Sequence, residues 1–453
     1  MARRANRCVA ALCAVALLLI TACTEERRTF DSTASTSADG DRSSMAVQGG
    51  SETDADAVVV RHAGEEASFG VVADAPVVAE GEPVKIGMIN QEDTPLGSFP
   101  ELRLGAQAAV DFINAELGGV GGRPIELIPC TTQFNPEQSK ACAQELVQDD
   151  VAAVAGGIDI TSNGSIPVLE QNGIPYVGGI PVNLDEMQSP ISFQFSGGMA
   201  GAFVGFAKHA ADNGAKKVVV AYTNYPPIKV AADYGTGALR ELGVTDIVEI
   251  PFDVLTTDFL PVVTKAASED ADAIFFAAAD SGCAPVMKTA HDLGVEAQLY
   301  LVGACAAPSI AEEIGEEAVI GSIFNVEGPL EADTDTKIYQ DAVAKYGDPA
   351  LPAASAATVS FRSMMNLWMA LDEVGPDVTS EALVEHLRGT VDHPSFTGHP
   401  FTCDGEQMPG LGAMCAPQQI LALRTADGLA PETDWIDVPA IVADLPAPTG
   451  EGG

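Results

Sequence analysis

From residue 84 to about residue 302 the chain alternates short apolar runs with stretches of helical period, and no other feature restricts its fold as much. The first run, Val84-Lys85-Ile86-Gly87-Met88-Ile89, suits a strand. After a loop over 90–100, Leu102, Ala106, Ala109, Val110, Ile113 and Leu117 recur at three- and four-residue spacing, and Gly118-Gly119 supply a helix stop. The pattern then predicts a strand over 125–128, a helix over 136–148, a strand over 151–155, a helix over 164–172 and a strand over 174–177. Strands that alternate with helices form parallel sheets covered on both faces.

A break at Ser196-Gly197-Gly198 separates this run from a second one. Its helices are expected over 200–213, 228–242, 259–268 and 284–293, and its strands over 217–222, 247–251, 273–277 and 298–302. Later helices over 353–374 and 380–387 precede a Gly/Pro-rich segment with a last strand over 420–424. The alternating region is longer than one ordinary domain, so two lobes are expected. A hydrophobic content of 47% is enough to fill both cores.

Ahead of the alternating region stands an export signal: three arginines within residues 1–7, an apolar core over 8–20, then Ile20-Thr21-Ala22-Cys23. The apolar run is shorter than the ~20 residues that span a bilayer. A Cys just after the small residues is the arrangement for thioether lipidation, so residues 1–22 are read as a lipoprotein signal peptide and Cys23 as the lipidated residue. Residues 23–83, rich in Ser, Thr, Asp, Gly, Glu and Ala, are read as a flexible acidic tether, with a short strand allowed near 57–60 or 71–78. Such a tether has a root-mean-square reach of ~40–45 Å.

Six of the nine cysteines lie beyond Cys23. They fall into three local pairs in a chain expected outside the cytoplasm, so disulfides are read at Cys130–Cys142, Cys283–Cys305 and Cys403–Cys415. His393, His399 and Cys403 cluster in the late loop segment, where a disulfide-closed loop is favoured over metal ligation. A net charge of −41 argues against nucleic acid and anionic lipid as partners, and is read as solubilising carboxylate surface or as fitness for a salty habitat.

The stretch Gly105-Ala106-Gln107-Ala108-Ala109-Val110-Asp111-Phe112-Ile113-Asn114, running through Gly118-Gly119-Val120-Gly121-Gly122-Arg123-Pro124, carries a family signature. So do Gly173-Ile174-Pro175-Tyr176, Asp258-Phe259-Leu260-Pro261 and Ala271-Asp272-Ala273-Ile274. Together, in this order, they resemble the type I periplasmic binding proteins of the leucine/isoleucine/valine-binding branch, over about 84–445. The resemblance implies an α/β fold of two Rossmann-like lobes with parallel central sheets, hinged by three crossovers near Ser196-Gly197, 323–327 and 397–400. Residues 84–197 plus 325–397 would form lobe 1, residues 198–324 plus 398–446 lobe 2, and residues 447–453 a tail. It also implies a monomer that takes a small-molecule ligand between the lobes.

By the same resemblance, the loop Ile158-Asp159-Ile160-Thr161-Ser162-Asn163-Gly164 is where hydroxyls and helix-start amides hold a ligand carboxylate. This makes Asp159, Thr161, Ser162 and Asn163 candidates, against a plain helix cap. A second loop, Gly178 to Asn183, carries Ile180 where a hydroxyl is expected, and Val302-Gly303-Ala304-Cys305 replaces the carboxylate that would meet a ligand ammonium. Asp280 either supplies that negative partner or caps the next helix. Leu96, Phe99, Tyr222, Asn224 and Tyr225 are cleft-rim candidates that core or solvent positions would equally explain.

Motifs for catalysis are missing: no Gly-x-Ser-x-Gly, His-Glu-x-x-His or phosphate loop occurs. The expected function is that of a non-enzymatic, lipid-anchored solute-binding subunit on the outer face of a bacterial membrane. It would need no cofactor and no metal, and would serve an ABC permease. A surface sensor that signals to a membrane receptor is the alternative.

Overall fold

The computed structural model describes residues 57–448 except 72–74, 95–96, 278–279, 327, 329, 331–332 and 352–355. The signal peptide, Cys23, most of the tether and Leu96 therefore lie outside the described residues.

The described chain opens with a four-residue helix α1 (Val58–Arg61) and a small hairpin, β1 (Glu66–Ala67) and β2 (Gly70–Val71). Then follow β3 (Val84–Gln91), α2 (Pro100–Glu116), β4 (Ile125–Thr132), α3 (Pro136–Gln148), β5 (Ala153–Gly156), α4 (Ile166–Asn172), β6 (Tyr176–Val177), α5 (Leu184–Gln188) and β7 (Ser192–Phe193). The second run is α6 (Gly198–Asp212), β8 (Lys217–Thr223), α7 (Pro226–Glu241), β9 (Asp246–Phe252), α8 (Leu260–Ala267), β10 (Ala273–Ala277), α9 (Cys283–Asp292), β11 (Gln298–Leu301), α10 (Pro308–Ile314), α11 (Glu316–Val319) and β12 (Ile323–Val326). Last come α12 (Thr334–Tyr346), α13 (Ala357–Val374), α14 (Ser380–Arg388), β13 (Ile420–Thr425), β14 (Gly428–Pro431) and α15 (Val438–Val442).

The first run makes a five-stranded sheet in the order β4-β3-β5-β6-β7, every pairing parallel. The second makes a seven-stranded sheet in the order β14-β13-β12-β11-β10-β8-β9. It is parallel from β9 to β12 and antiparallel at β13 and β14, and the sequence had suggested no β14. In both lobes the strand order reverses beside the first strand, between β3 and β5 and again between β8 and β10. Open parallel sheets bind ligands in the crevice beyond the strand ends at such reversals.

Gly105 explains how α2 and α13 pack so closely in lobe 1. A Cβ there would stand 2.5 Å from the Ala357 carbonyl oxygen and 2.8 Å from Ser360 Oγ. The Ser360 hydroxyl donates across the same contact to the Leu102 carbonyl at 2.6 Å. Side chains from α2, α12, α13 and α14 join the inner face of the first sheet in one core, which includes Phe112, Phe361, Met364 and Leu383. Two further cores cover the two faces of the second sheet.

Two expectations need correction. Residues 57–71, read as tether, are docked on lobe 1: the buried Glu116 carboxylate accepts the Val58 and Val59 amides at 3.0 and 2.6 Å, and Val58 and Val59 lie in the core. Apolar side chains in an acidic stretch had hidden a packed segment. The third crossover does not end at 397–400 either. Phe401, Cys403, Cys415 and Ala416 belong to the lobe 1 core, whereas Met408, Leu411 and Met414 between them pack with lobe 2. The loop closed by Cys403–Cys415 thus touches both cores, and the chain commits to lobe 2 only near Gln419, whose amide pairs with Ile436. All three disulfides form in the expected connectivity.

Candidate functional site

The two strand-order reversals face each other, and the side chains there were only partly foreseen. In lobe 1, β3 ends in the buried run Asn90-Gln91-Glu92. Asn90 Nδ2 donates to the Phe99 carbonyl at 2.8 Å and Asn90 Oδ1 accepts the Ile158 amide at 3.1 Å, so this one side chain ties the loops after β3 and β5 together. Gln91 donates through Nε2 to the Gly97 carbonyl at 2.9 Å. Glu92 takes a two-pronged ion pair from Arg103, at 2.8 and 3.0 Å. Gln91 Oε1 and Ser162 Oγ are buried without a hydrogen-bond partner among the described residues.

Asp159 sits in the expected loop but is fully buried. Its carboxylate accepts Thr132 Oγ1 at 3.0 Å, Ser139 Oγ at 2.6 Å, the Thr161 amide at 3.0 Å and Thr161 Oγ1 at 2.8 Å. Three of these donors converge on Oδ1 and Ser139 alone on Oδ2, so Asp159 and Thr161 together brace the loop from inside. Ser162 is buried beside them, while Asn163 is exposed on the outer face of the lobe, in a groove between α3 and α4 with Lys140 and Gln144. One loop thus sends its side chains to three places, because a turn of helical pitch begins inside it.

Ile160 of this loop and Ile180 and Val182 of the next, each half-buried, pack against the lobe 1 core together with Phe99. Behind Val182 lies Glu186, which the sequence did not single out. Its carboxyl accepts the Val182 and Asn183 amides at 2.9 and 3.0 Å and Tyr176 OH at 3.1 Å. Burial pushes this carboxyl up to about 8, against the lowering effect of the Val182 amide bond. The capping box of Asn183 with Glu186 was a readable signal for α5.

In lobe 2, Tyr222 is a core residue, its hydroxyl donating to Glu249 of β9 at 3.1 Å, and is no part of the rim. Asn224 is exposed at the rim. Tyr225, half-buried just before α7, spans the cleft: its hydroxyl reaches the Ile160 carbonyl oxygen of lobe 1 at 3.5 Å. Asn183 Nδ2 donates to that same oxygen at 3.2 Å. Burial, and then the nearby carboxylates of Glu186, Asp185 and Asp159, raise the Tyr225 hydroxyl above its ordinary value. Asp280 opens a short 3-10 turn leading into α9, and its side chain lies outside the described residues. Cys283–Cys305 fastens that helix start to the loop after β11. Among the described residues no three His, Cys, Asp or Glu side chains converge as a metal site, and no helix is long and apolar enough to cross a membrane.

Comparison with known proteins agrees with this architecture. The family model for periplasmic binding proteins matches residues 83–411. The Leu/Ile/Val-binding protein homolog 6 of Brucella suis biovar 1 (strain 1330) is 25% identical over 336 residues, covering 71% of this chain and 84% of its own. The fold is similar to that of the fatty acid ABC transporter substrate-binding protein from Thermomonospora curvata, with a TM-score of 0.69, 17% identity and coverage of 83% of this chain and 98% of the other. A solute-binding protein of an ABC transporter from Rhodopseudomonas palustris HaA2, in complex with p-hydroxybenzoic acid, gives a TM-score of 0.66 at 22% identity, with coverage of 78% and 97%. From the matched span and the two reversed-order sheets, the chain belongs to the type I periplasmic binding proteins, of the leucine/isoleucine/valine-binding type.

Proposed function

We propose that this chain is the extracytoplasmic substrate-binding subunit of an ABC-type importer, and that it binds a small organic solute between its lobes. The observation that carries this reading is the Tyr225 hydroxyl reaching the Ile160 carbonyl at 3.5 Å. That contact joins the strand-order reversals of the two lobes, where a ligand touching both sides would favour the closed form. The Brucella suis relative is named for Leu, Ile and Val, and the Thermomonospora curvata protein for fatty acid, which supports a solute with an amino-acid-like or acyl-sized body. Lipidation at Cys23, after removal of residues 1–22, would hold the protein at the outer face of the membrane beside its permease. The protein would act as a monomer, with no cofactor, metal or nucleic acid.

The ligand-facing set on this reading is Phe99, Ile160, Ile180, Val182, Ser162 and Tyr225. Asn224 stands at the rim. A thermal-shift screen of the mature chain against amino acids, amides, amines, carboxylates and nucleosides tests the proposal, since a ligand at ~100 times its Kd adds ~2.7 kcal/mol to stability. A hit that the Tyr225→Ala variant no longer binds is the expected result. Binding that ignores this substitution, or a flat screen of well-folded protein, would overturn it.

A further inference from the structure

The docked segment 57–71 touches more than the lobe 1 core. The family match begins at residue 83, so this segment lies ahead of the span that the family pattern covers. It is fastened to α12 at two places. Asp341 takes Arg61 at 2.7 Å and His62 at 2.9 Å, and the buried Asp335 accepts the Ser68 amide at 3.0 Å and the Ser68 hydroxyl as well. The Asp335 oxygen that takes the hydroxyl also accepts the Thr397 amide, at 2.9 Å. A buried carboxylate is stable only while such donors surround it, so this one joins the segment to the chain that leads into the third crossover. Beside it, Phe69 lies 5.9 Å from Phe396.

Thr397 stands where the chain turns toward the joint between the lobes. Its φ of 50° lies in the left-handed region, which a β-branched residue occupies only when its surroundings hold it there. A Cβ on Gly328, two residues beyond β12 in the second crossover, would stand 2.8 Å from the Thr397 carbonyl oxygen, so two crossovers pass each other at this point. Two residues further on, the His399 ring meets Trp435, next to Ile436 of the lobe 2 core, with centroids 5.4 Å apart. A small cavity beside this pair is lined by Phe195 ahead of the first crossover and by Ala416 and Gln418 of the third. Close-packed interiors resist displacement, and a gap at the joint leaves it room to move.

We infer that residues 57–71 form a strap that clamps the hinge. Docked, the strap holds Asp335 against Thr397 and keeps the third crossover where the lobes touch through Tyr225 and Ile160. Released, it leaves that crossover free to turn. Hinges are a few residues that absorb the backbone change between open and closed forms, and a restraint on one of them shifts the balance between those forms. The fraction of chain ready to close on a solute then depends on the strap, whatever the solute is.

Amide hydrogen exchange in the mature chain without solute tests the clamp independently of the importer reading. The double variant Ser68→Ala/Phe69→Ala frees the strap at the hinge and leaves Val58 and Val59 on Glu116. In it the Thr397 amide should exchange about tenfold faster, and the amides of Gln419 and Ile436, which pair where the chain enters lobe 2, about threefold faster relative to those of β8. Gly105→Ala, which disturbs lobe 1 away from the strap, is the control and should leave that lobe 2 ratio unchanged. If the double variant does not fold, Asp335→Asn, which turns one shared acceptor into a donor, is judged by the same amides. Faster exchange confined to lobe 1, with Gln419 and Ile436 unchanged, would overturn the clamp and leave the segment a brace of lobe 1 alone. Unchanged exchange at Thr397 would overturn it too.

Discussion

At the scale of single residues, the cleft is held by carboxyl groups that perform different tasks according to their surroundings. Glu186 is buried with a value near 8 against 4.5 for the free side chain. Between about pH 4.5 and pH 8 the folded chain therefore keeps a proton that the unfolded chain has released, so stability falls as pH rises through that window. The loss is on the order of 4 kcal/mol, and Glu186→Gln should flatten the slope of denaturation free energy against pH. An unchanged slope would place the titration elsewhere. Residue identity alone could not separate Glu186 from Asp159. One closes a capping box behind the wall, the other is bonded by Thr132, Ser139 and Thr161, and those partners come from separate elements. The sequence placed the loop 158–164 at the end of β5 but not the direction of its side chains: Asp159 is buried inside the protein and Asn163 lies in the groove between α3 and α4.

At the scale of elements, periodicity carried most of the fold because each helix buries a face on a sheet that the same alternation predicts. Gly105 shows how tightly those elements are set. Its Cβ would press on the Ala357 carbonyl at 2.5 Å, so Gly105→Ala should cost ~1–3 kcal/mol by forcing α2 and α13 apart, measured by urea denaturation. The docked segment 57–71 escaped the reading because its anchors are distant in sequence. Val58 and Val59 rest on Glu116, Phe69 lies 5.9 Å from both Trp368 and Phe396, and Ser68 bonds to Asp335. A chain beginning at residue 84 should thus be less stable than one beginning at residue 52, by at least ~2 kcal/mol from the two valines alone. Equal stability would mean that the segment contributes nothing to lobe 1. The Cys403–Cys415 loop packs on both cores, and replacing both cysteines by Ser should cost ~2–4 kcal/mol in the oxidised protein and nothing under reducing conditions.

At the scale of the whole molecule, two sheets of like strand order bring their reversal points together, and on the proposed reading solute contacts would be shared between distant segments. Lobe 1 supplies an apolar wall and the Ile160 carbonyl, and lobe 2 supplies Tyr225. On that reading neither half offers a complete site, and binding energy gained across the cleft would go into closure. The family pattern made the two lobes legible from sequence, whereas the cross-cleft contact depends on how lobes separated by the hinge meet, which no local pattern encodes.

The most direct test is a calorimetric titration of the screened solute into the wild-type chain and the Tyr225→Phe variant, which loses only the hydroxyl. The account predicts one saturable site in the wild type and a Kd at least tenfold weaker in the variant, with unliganded stability unchanged. Equal affinity in the two proteins would contradict a solute site between the lobes.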